Sequence, residues 1–205
     1  MSGTPTLEVF TDYVCPWCYL GDNRLKKVKK AYDINVKLVH FPLHPETPPE
    51  GRSLQDLFNC GPKEIDNKNV HMRGLMGNEG LPYSNRTHTY NSRLAQEIGT
   101  WADTQDGGEG IHDKFFEAYF VEGCNLADTD VILNVVARAG LKPEDARIVL
   151  EERLFKRAVD EDWSKSHQYG ITGVPTFNIA GKSLVGAQSV ETLAHLMDEV
   201  GAKKH

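Results

Sequence analysis

Nowhere does the sequence contain the roughly 18 to 20 unbroken apolar residues that a membrane-spanning helix needs, so no membrane partner is expected. Positive charge is not in excess either. Lys and Arg number 23 against 29 Asp and Glu, a formal net charge of −6, which argues against nucleic acid as a main partner. Cysteine is scarce at four in 205 residues, and a chain of this length buries an ordinary core without covalent staples. There is no internal repeat of the kind that builds solenoids, and no low-complexity tract. The opening "MSGTPTLEVF" has neither a basic n-region nor an apolar h-region, and a cytoplasmic protein is the expectation.

What the chain does contain is "DYVCPWCY", two cysteines two residues apart just after a short apolar stretch. The preceding "TLEVFTDY" alternates Leu7, Val9 and Tyr13 against polar neighbours, with Phe10 breaking the pattern, and predicts a strand. Trp17, Leu20, Gly21, Arg24, Leu25 and Val28 then recur at helical spacing. The cysteine pair therefore falls at a strand-to-helix junction. Lys26, Lys27, Lys29 and Lys30 gather near the end of that helix, where cations suit the macrodipole, and read as a solvated face.

"INVKLVHF" predicts a second strand, after which the four prolines of "PLHPETPPEG" forbid a regular element. A long middle follows with helical patterns at "SLQDLF", "EIDNKNVHMRGLM", "SRLAQEIGTWAD", "IHDKFFEAYFVEG" and "TDVILNVVARAG". The last, "PEDARIVLEERLF", runs on towards Trp163 and Tyr169. Gly140 is placed to end one helix and Pro143 to begin the next. Beyond "HQYG" the period returns to strands, "VPTFNIAG" and "KSLVG", joined by a short Gly-containing turn. A closing helix has Ser189 as its N-cap, an apolar stripe of Leu193, Leu196, Met197 and Val200, and Gly201 as its stop. Strands at both ends with helices between them predict an α/β domain carrying an all-α excursion.

A cysteine attacks a disulfide only as its thiolate, and a helix N-terminus stabilises negative sulfur through unpaired N–H groups and the dipole. Cys15 falls there, with Pro16 at the first helical position, where a missing N–H costs little. Cys18, one turn in and less exposed, is placed to resolve a mixed disulfide. Zinc would need two further ligands, whereas Cys60 and Cys124 are single and the histidines lack paired spacing, so no metal is expected. In a reducing compartment a purely structural disulfide is disfavoured as well. Cys60 and Cys124 read as ordinary thiols, the alternative being an auxiliary redox pair. Asp12 reads as a strand-end carboxylate capping nearby backbone, with proton relay to Cys18 as the alternative. His40 reads as a satisfied core histidine. "FFEAYF" reads as core that also reaches towards a groove beside the dithiol.

"CPWC" on the first strand-helix turn, "TGVPTF" at a later strand start, "VGAQ" beyond it and a long helical insertion together resemble the DsbA-like thioredoxin-fold oxidoreductases. "FTDYVCPWCYLG" and "HPETPPEG" resemble the FrnE branch in particular. The resemblance implies a thioredoxin fold with an all-α helical domain inserted between an N-terminal βαβ unit and a C-terminal ββα unit, with divisions at residues 1–45, 46–169 and 170–205. It implies a thiol-disulfide oxidoreductase in which Cys15 and Cys18 are catalytic and Pro16, Trp17, Val174 and Pro175 meet the substrate. Pro175 would be cis, and the Val174 backbone would bind an extended peptide or thiol by strand addition. Protein or small thiols and disulfides would be the partners. No tightly bound cofactor is implied, although glutathione fits as a redox partner or co-substrate. Trp17 stands where the best-known periplasmic members have histidine, so their redox poise does not carry over.

Two other functions stay open on the sequence. The same architecture resembles kappa-class glutathione transferases and 2-hydroxychromene-2-carboxylate isomerases, which bind glutathione without cycling a disulfide. Those relatives generally carry serine at the attacking position and lack the resolving cysteine, so the pair Cys15 and Cys18 favours exchange. A non-catalytic binding or holdase module built on the helical lobe is the third. Under that reading the cysteines are dispensable.

Overall fold

The computed structural model describes residues 3–205, and Met1 and Ser2, at the start of the first expected segment, lie outside the described residues. The chain opens with β1 (Thr6–Thr11), α1 (Pro16–Lys29), β2 (Tyr32–Asp33) and β3 (Asn35–His40). Next come β4 (Arg52–Ser53), α2 (Leu54–Phe58), α3 (Pro62–Asn78), β5 (His88–Thr89), α4 (Arg93–Ala102) and α5 (Ile111–Phe120). Then follow α6 (Thr129–Arg138), α7 (Pro143–Glu151), α8 (Lys156–Gln168), β6 (Thr176–Ile179), β7 (Lys182–Val185), α9 (Val190–Glu199) and β8 (Lys203–Lys204).

The main sheet has the order β3-β1-β6-β7. β1 pairs in parallel with β3, Val9 opposite Leu38, and antiparallel with β6, Val9 opposite Phe177. A central strand covered on both faces needs apolar residues at consecutive positions. Phe10 breaks the alternation for this reason, and Phe10, Val9 and Leu7 are all buried. On one face Leu7 and Val9 meet Leu25 and Val28 of α1 and Leu193, Leu196 and Met197 of α9. On the other, Phe10 and Val39 join a core shared with α4, α5 and α6. The dithiol end of the sheet and the helical insertion therefore have one continuous interior. This is a thioredoxin fold carrying a helical insertion.

Local chemistry places most boundaries. Ser53 accepts from the Asp56 N–H at 3.0 Å and starts α2, Asp128 accepts from the Asp130 N–H at 2.8 Å and starts α6, and Ser189 does the same for α9. Gly140 takes φ 82° after α6, and Pro143 opens α7. Ala180 and Gly181, at φ 50° and 78°, form the two-residue turn between β6 and β7. Among the described residues no helix is long and apolar enough to cross a membrane.

Three features depart from the sequence pattern. The helical run from Pro143 towards Tyr169 is broken, with Arg153 in the left-handed region at φ 52°. That turn sends the Arg153 guanidinium onto Glu97, 2.6 Å and 2.8 Å away, beside Arg93 at 2.6 Å. Glu97 is fully buried, and although burial opposes its charge, the two arginines hold its carboxyl below the usual range. Gly201 ends α9 as expected, and the segment past it forms β8, which pairs with β2. Arg52–Ser53 and His88–Thr89 likewise form a small ladder at the two ends of a long excursion.

Candidate functional site

The site is assembled where β1 runs into α1. Cys15 is the N-cap of α1 with extended backbone (φ −94°, ψ 114°), and Pro16 follows as the first helical residue. The Cys15 carbonyl already accepts from the Cys18 N–H at 3.0 Å, so the second cysteine sits on the first turn. The difference in exposure between them is smaller than the sequence suggests: Cys15 is 4% exposed and Cys18 1%. Their real asymmetry is electrostatic. A hydrogen bond from the Cys18 thiol lowers Cys15 below the ordinary thiol range, opposed by burial and the Asp12 charge and aided by the Cys18 and Trp17 N–H groups. Burial pushes Cys18 well up, reinforced by the hydrogen bond and charge of Cys15, with the Thr11 hydroxyl and the Asp12 backbone N–H pulling the other way.

The opposite wall comes from the far end of the chain. The Val174–Pro175 peptide bond is cis, and the Cys15 thiol lies 3.4 Å from the Val174 carbonyl, to which it donates. Thr176 Oγ1 donates to the Gly173 carbonyl at 2.7 Å, and the Gly186 N–H donates to the Pro175 carbonyl at 2.7 Å. These bonds fix the turn that carries both residues. Gly21 of α1 packs directly on the Pro175 ring, since a Cβ there would stand 3.0 Å from Pro175 Cγ. Trp17, expected to meet the substrate, is 40% exposed at the mouth of the site.

Asp12 is fully buried beneath the dithiol. It accepts from the Val14 and Leu43 N–H groups, both at 3.1 Å, with Ser92 and Gln96 as further partners. Burial outweighs these bonds and raises its carboxyl to about 6. Asp12 thus caps backbone, and it also acts on Cys15 through its charge. His40 is not the satisfied histidine expected: it is buried with Nδ1 unpartnered, and burial lowers it to about 3. Tyr13 reaches away from the sulfurs to His112 Nδ1 at 2.6 Å, in space that Gly99 leaves open.

Several contributing residues carried no sequence signal. Arg24 joins the three parts of the chain, donating to Glu79 at 2.7 Å and to the Ala187 carbonyl at 2.8 Å. Arg86 donates to the Val14 carbonyl at 3.3 Å, one residue before Cys15. Their partners lie far along the sequence, so no local spacing marks them. Cys60, after α2, and Cys124, after α5, are free thiols, and burial together with Glu122 pushes the Cys124 thiol up. The "FFEAYF" aromatics are core: Phe115 and Phe116 pack on Tyr13, while Tyr19 stacks on Phe120. A cavity of about 840 Å³ opens between α1, β3, α5 and α8, and neither Cys15 nor Cys18 lines it.

The family model of the DSBA-like thioredoxin domain matches residues 6–198. The chain belongs to that family. Across 204 residues it is 25% identical to the uncharacterized protein YwbO of Bacillus subtilis (strain 168), covering 98% of this chain and all of that one. Its backbone is similar to a Streptomyces coelicolor protein described as a "probable DsbA oxidoreductase", SCO1869, with a TM-score of 0.88, 23% identity and coverage of 95% and 89%. It is also similar to a 2-hydroxychromene-2-carboxylate isomerase, with a TM-score of 0.70, 18% identity and coverage of 95% and 98%. At these identities the two solved structures speak for the shared fold alone.

Proposed function

We propose that this DsbA-like protein, of the FrnE branch, is a thiol-disulfide oxidoreductase that uses Cys15 and Cys18 on protein or small-thiol substrates in the cytoplasm. The carrying observation is the asymmetric pair: a Cys15 thiol lowered at a helix N-terminus, a Cys18 thiol held up beneath it, and the Val174 carbonyl 3.4 Å away. The Cys15 thiolate attacks one sulfur of a substrate disulfide, forming a mixed disulfide and releasing the other substrate sulfur as a thiolate. Cys18 then loses its proton and attacks the Cys15 sulfur. The Cys15–Cys18 disulfide forms, the second substrate sulfur leaves, and the substrate has gained two electrons. The same steps in reverse oxidise a dithiol, and the surrounding thiol pool sets the direction.

Pro16 and Trp17 on one side of Cys15, and Val174 and Pro175 on the other, form the walls against which substrate lies. Glutathione is the small thiol most suited to recharge the pair, and the chemistry requires no tightly bound cofactor. The likeness to 2-hydroxychromene-2-carboxylate isomerase favours a second reading, glutathione-dependent isomerisation or transfer. Cys18 weighs against it, because a bound glutathione that is not oxidised has no use for a resolving thiol. Parallel assays separate the two. Insulin reduction, without glutathione conjugation or isomerisation, is expected; conjugation with no insulin reduction would reverse the choice.

A further inference from the structure

A groove of about 270 Å³ begins at Pro16, the residue after Cys15, and runs between the start of α1, α2 and α3. Its walls are apolar, with Ile65 and Met72 behind and Trp17 and Phe58, 40% and 46% exposed, at the mouth. Asn69, His71 and Tyr83 add neutral polar groups, and its formal charge has one sign. In a chain of net charge −6 no Asp or Glu lines this groove among the described residues, whereas Lys68 and Arg86 do. Lys68 Nζ stands 5.0 Å over the Phe58 ring, and the Arg86 guanidinium lies over Tyr119 at 5.1 Å and Phe120 at 5.2 Å. Neither cation has a salt-bridge partner among the described residues, and the buried Arg86 Nε–H has no acceptor.

We infer that this groove is a specificity site for an extended segment of a protein substrate, taking a bulky apolar side chain next to an acidic residue close to the attacked cysteine. The inference rests on the disulfide-exchange reading and names its substrate class. The volume falls below the roughly 300–1,000 Å³ typical of small-molecule sites and suits one side chain. A peptide bonded to Cys15 advances about 3.3 Å per residue, so residues flanking the attacked cysteine pass from the Val174 backbone across Trp17 into the groove. Lys68, exposed over Phe58, and Arg86, whose guanidinium also donates to the Val14 carbonyl, then face the acidic residue. Exposed ion pairs are each worth up to about fivefold in binding, and they weaken as salt screens them.

The test compares kcat/KM for three disulfide peptides that differ only in the residue after a leucine beside the cysteine: Glu, Gln or Lys. 2-Hydroxyethyl disulfide, which has neither side chain nor charge, reports the dithiol chemistry alone. The wild-type protein is expected to favour the Glu peptide over the Lys peptide by about 10-fold at low salt, with Gln between. Lys68→Glu is expected to abolish or invert that order, and Lys68→Gln, at the same exposed position, to reduce it. Turnover of 2-hydroxyethyl disulfide with no peptide preference would overturn the groove assignment and leave exchange standing. A preference that survives both Lys68 variants would also overturn it, as would faster turnover of glutathione disulfide than of the Glu peptide. Failure to turn over 2-hydroxyethyl disulfide at all would instead remove the exchange reading.

Discussion

Replacing Cys15 with serine is expected to abolish enzyme-dependent disulfide exchange, leaving only the reaction of free thiols in the buffer. A serine hydroxyl at the N-cap keeps a helix-capping group, so the fold is retained while the nucleophile is lost. Cys18→Ser is expected to behave differently. Its Cys15 still attacks, but nothing resolves the adduct, so one equivalent of substrate remains bound through a mixed disulfide that dithiothreitol releases. The Cys18 thiol is also the largest influence lowering Cys15, so Cys18→Ala, which removes the donor that a serine hydroxyl would keep, should move Cys15 alkylation to higher pH. Mass spectrometry of the two serine variants after incubation with a disulfide peptide distinguishes them. An adduct at Cys18 of Cys15→Ser, or none at Cys15 of Cys18→Ser, would contradict the assigned roles, and wild-type activity in Cys15→Ser would support a binding module in which the cysteines are dispensable.

The second large effect concerns Asp12, whose carboxyl burial raises from 3.8 to about 6. Below about pH 3 that group is protonated in folded and unfolded chains alike. Between pH 4 and 6 the unfolded chain releases the proton and the folded chain keeps it, so stability falls as pH rises through this window. By pH 7 the ionised carboxylate costs the fold ~3 kcal/mol. Asp12→Asn removes that titration but leaves the Val14 or Leu43 amide without an acceptor, a loss of ~1–3 kcal/mol at every pH. Relative to wild type, the variant should therefore gain ~3 kcal/mol between pH 3 and pH 7 in urea unfolding of the reduced protein. His40, buried and neutral in both proteins, cancels in the difference. Since the Asp12 charge raises Cys15, the variant should also alkylate at lower pH. Parallel pH curves would contradict this account of Asp12.

Carboxyls raised by burial concentrate at active sites. The sequence pointed to Asp12 by its place three residues before Cys15, but its burial depends on Leu43, Ser92 and Gln96, which only the folded chain brings close. The strand-helix junction was legible because Pro16 and two hydrophobic periods meet there, and the β6–β7 hairpin because a glycine sits in its turn. Arg153 was not. A left-handed arginine inside an amphipathic pattern follows from an ion pair with Glu97, 56 residues away, and periodicity carries no trace of it. Trp17 recurs at the helical spacing of Leu20 and Leu25, and its place in the first turn leaves it exposed at the mouth of the site. The groove cations Lys68 and Arg86 belong to separate segments and acquire a common role only through the helical insertion.

The proposed exchange requires that Cys15 and Cys18 form a reversible disulfide with each other. Equilibrating the protein across a graded series of reduced and oxidised glutathione, then trapping with acid and alkylating for mass spectrometry, measures this directly. A single two-electron transition confined to Cys15 and Cys18, with Cys60 and Cys124 remaining as thiols, is the expected result. If no Cys15–Cys18 disulfide formed at any ratio, the protein would not be a dithiol-disulfide oxidoreductase.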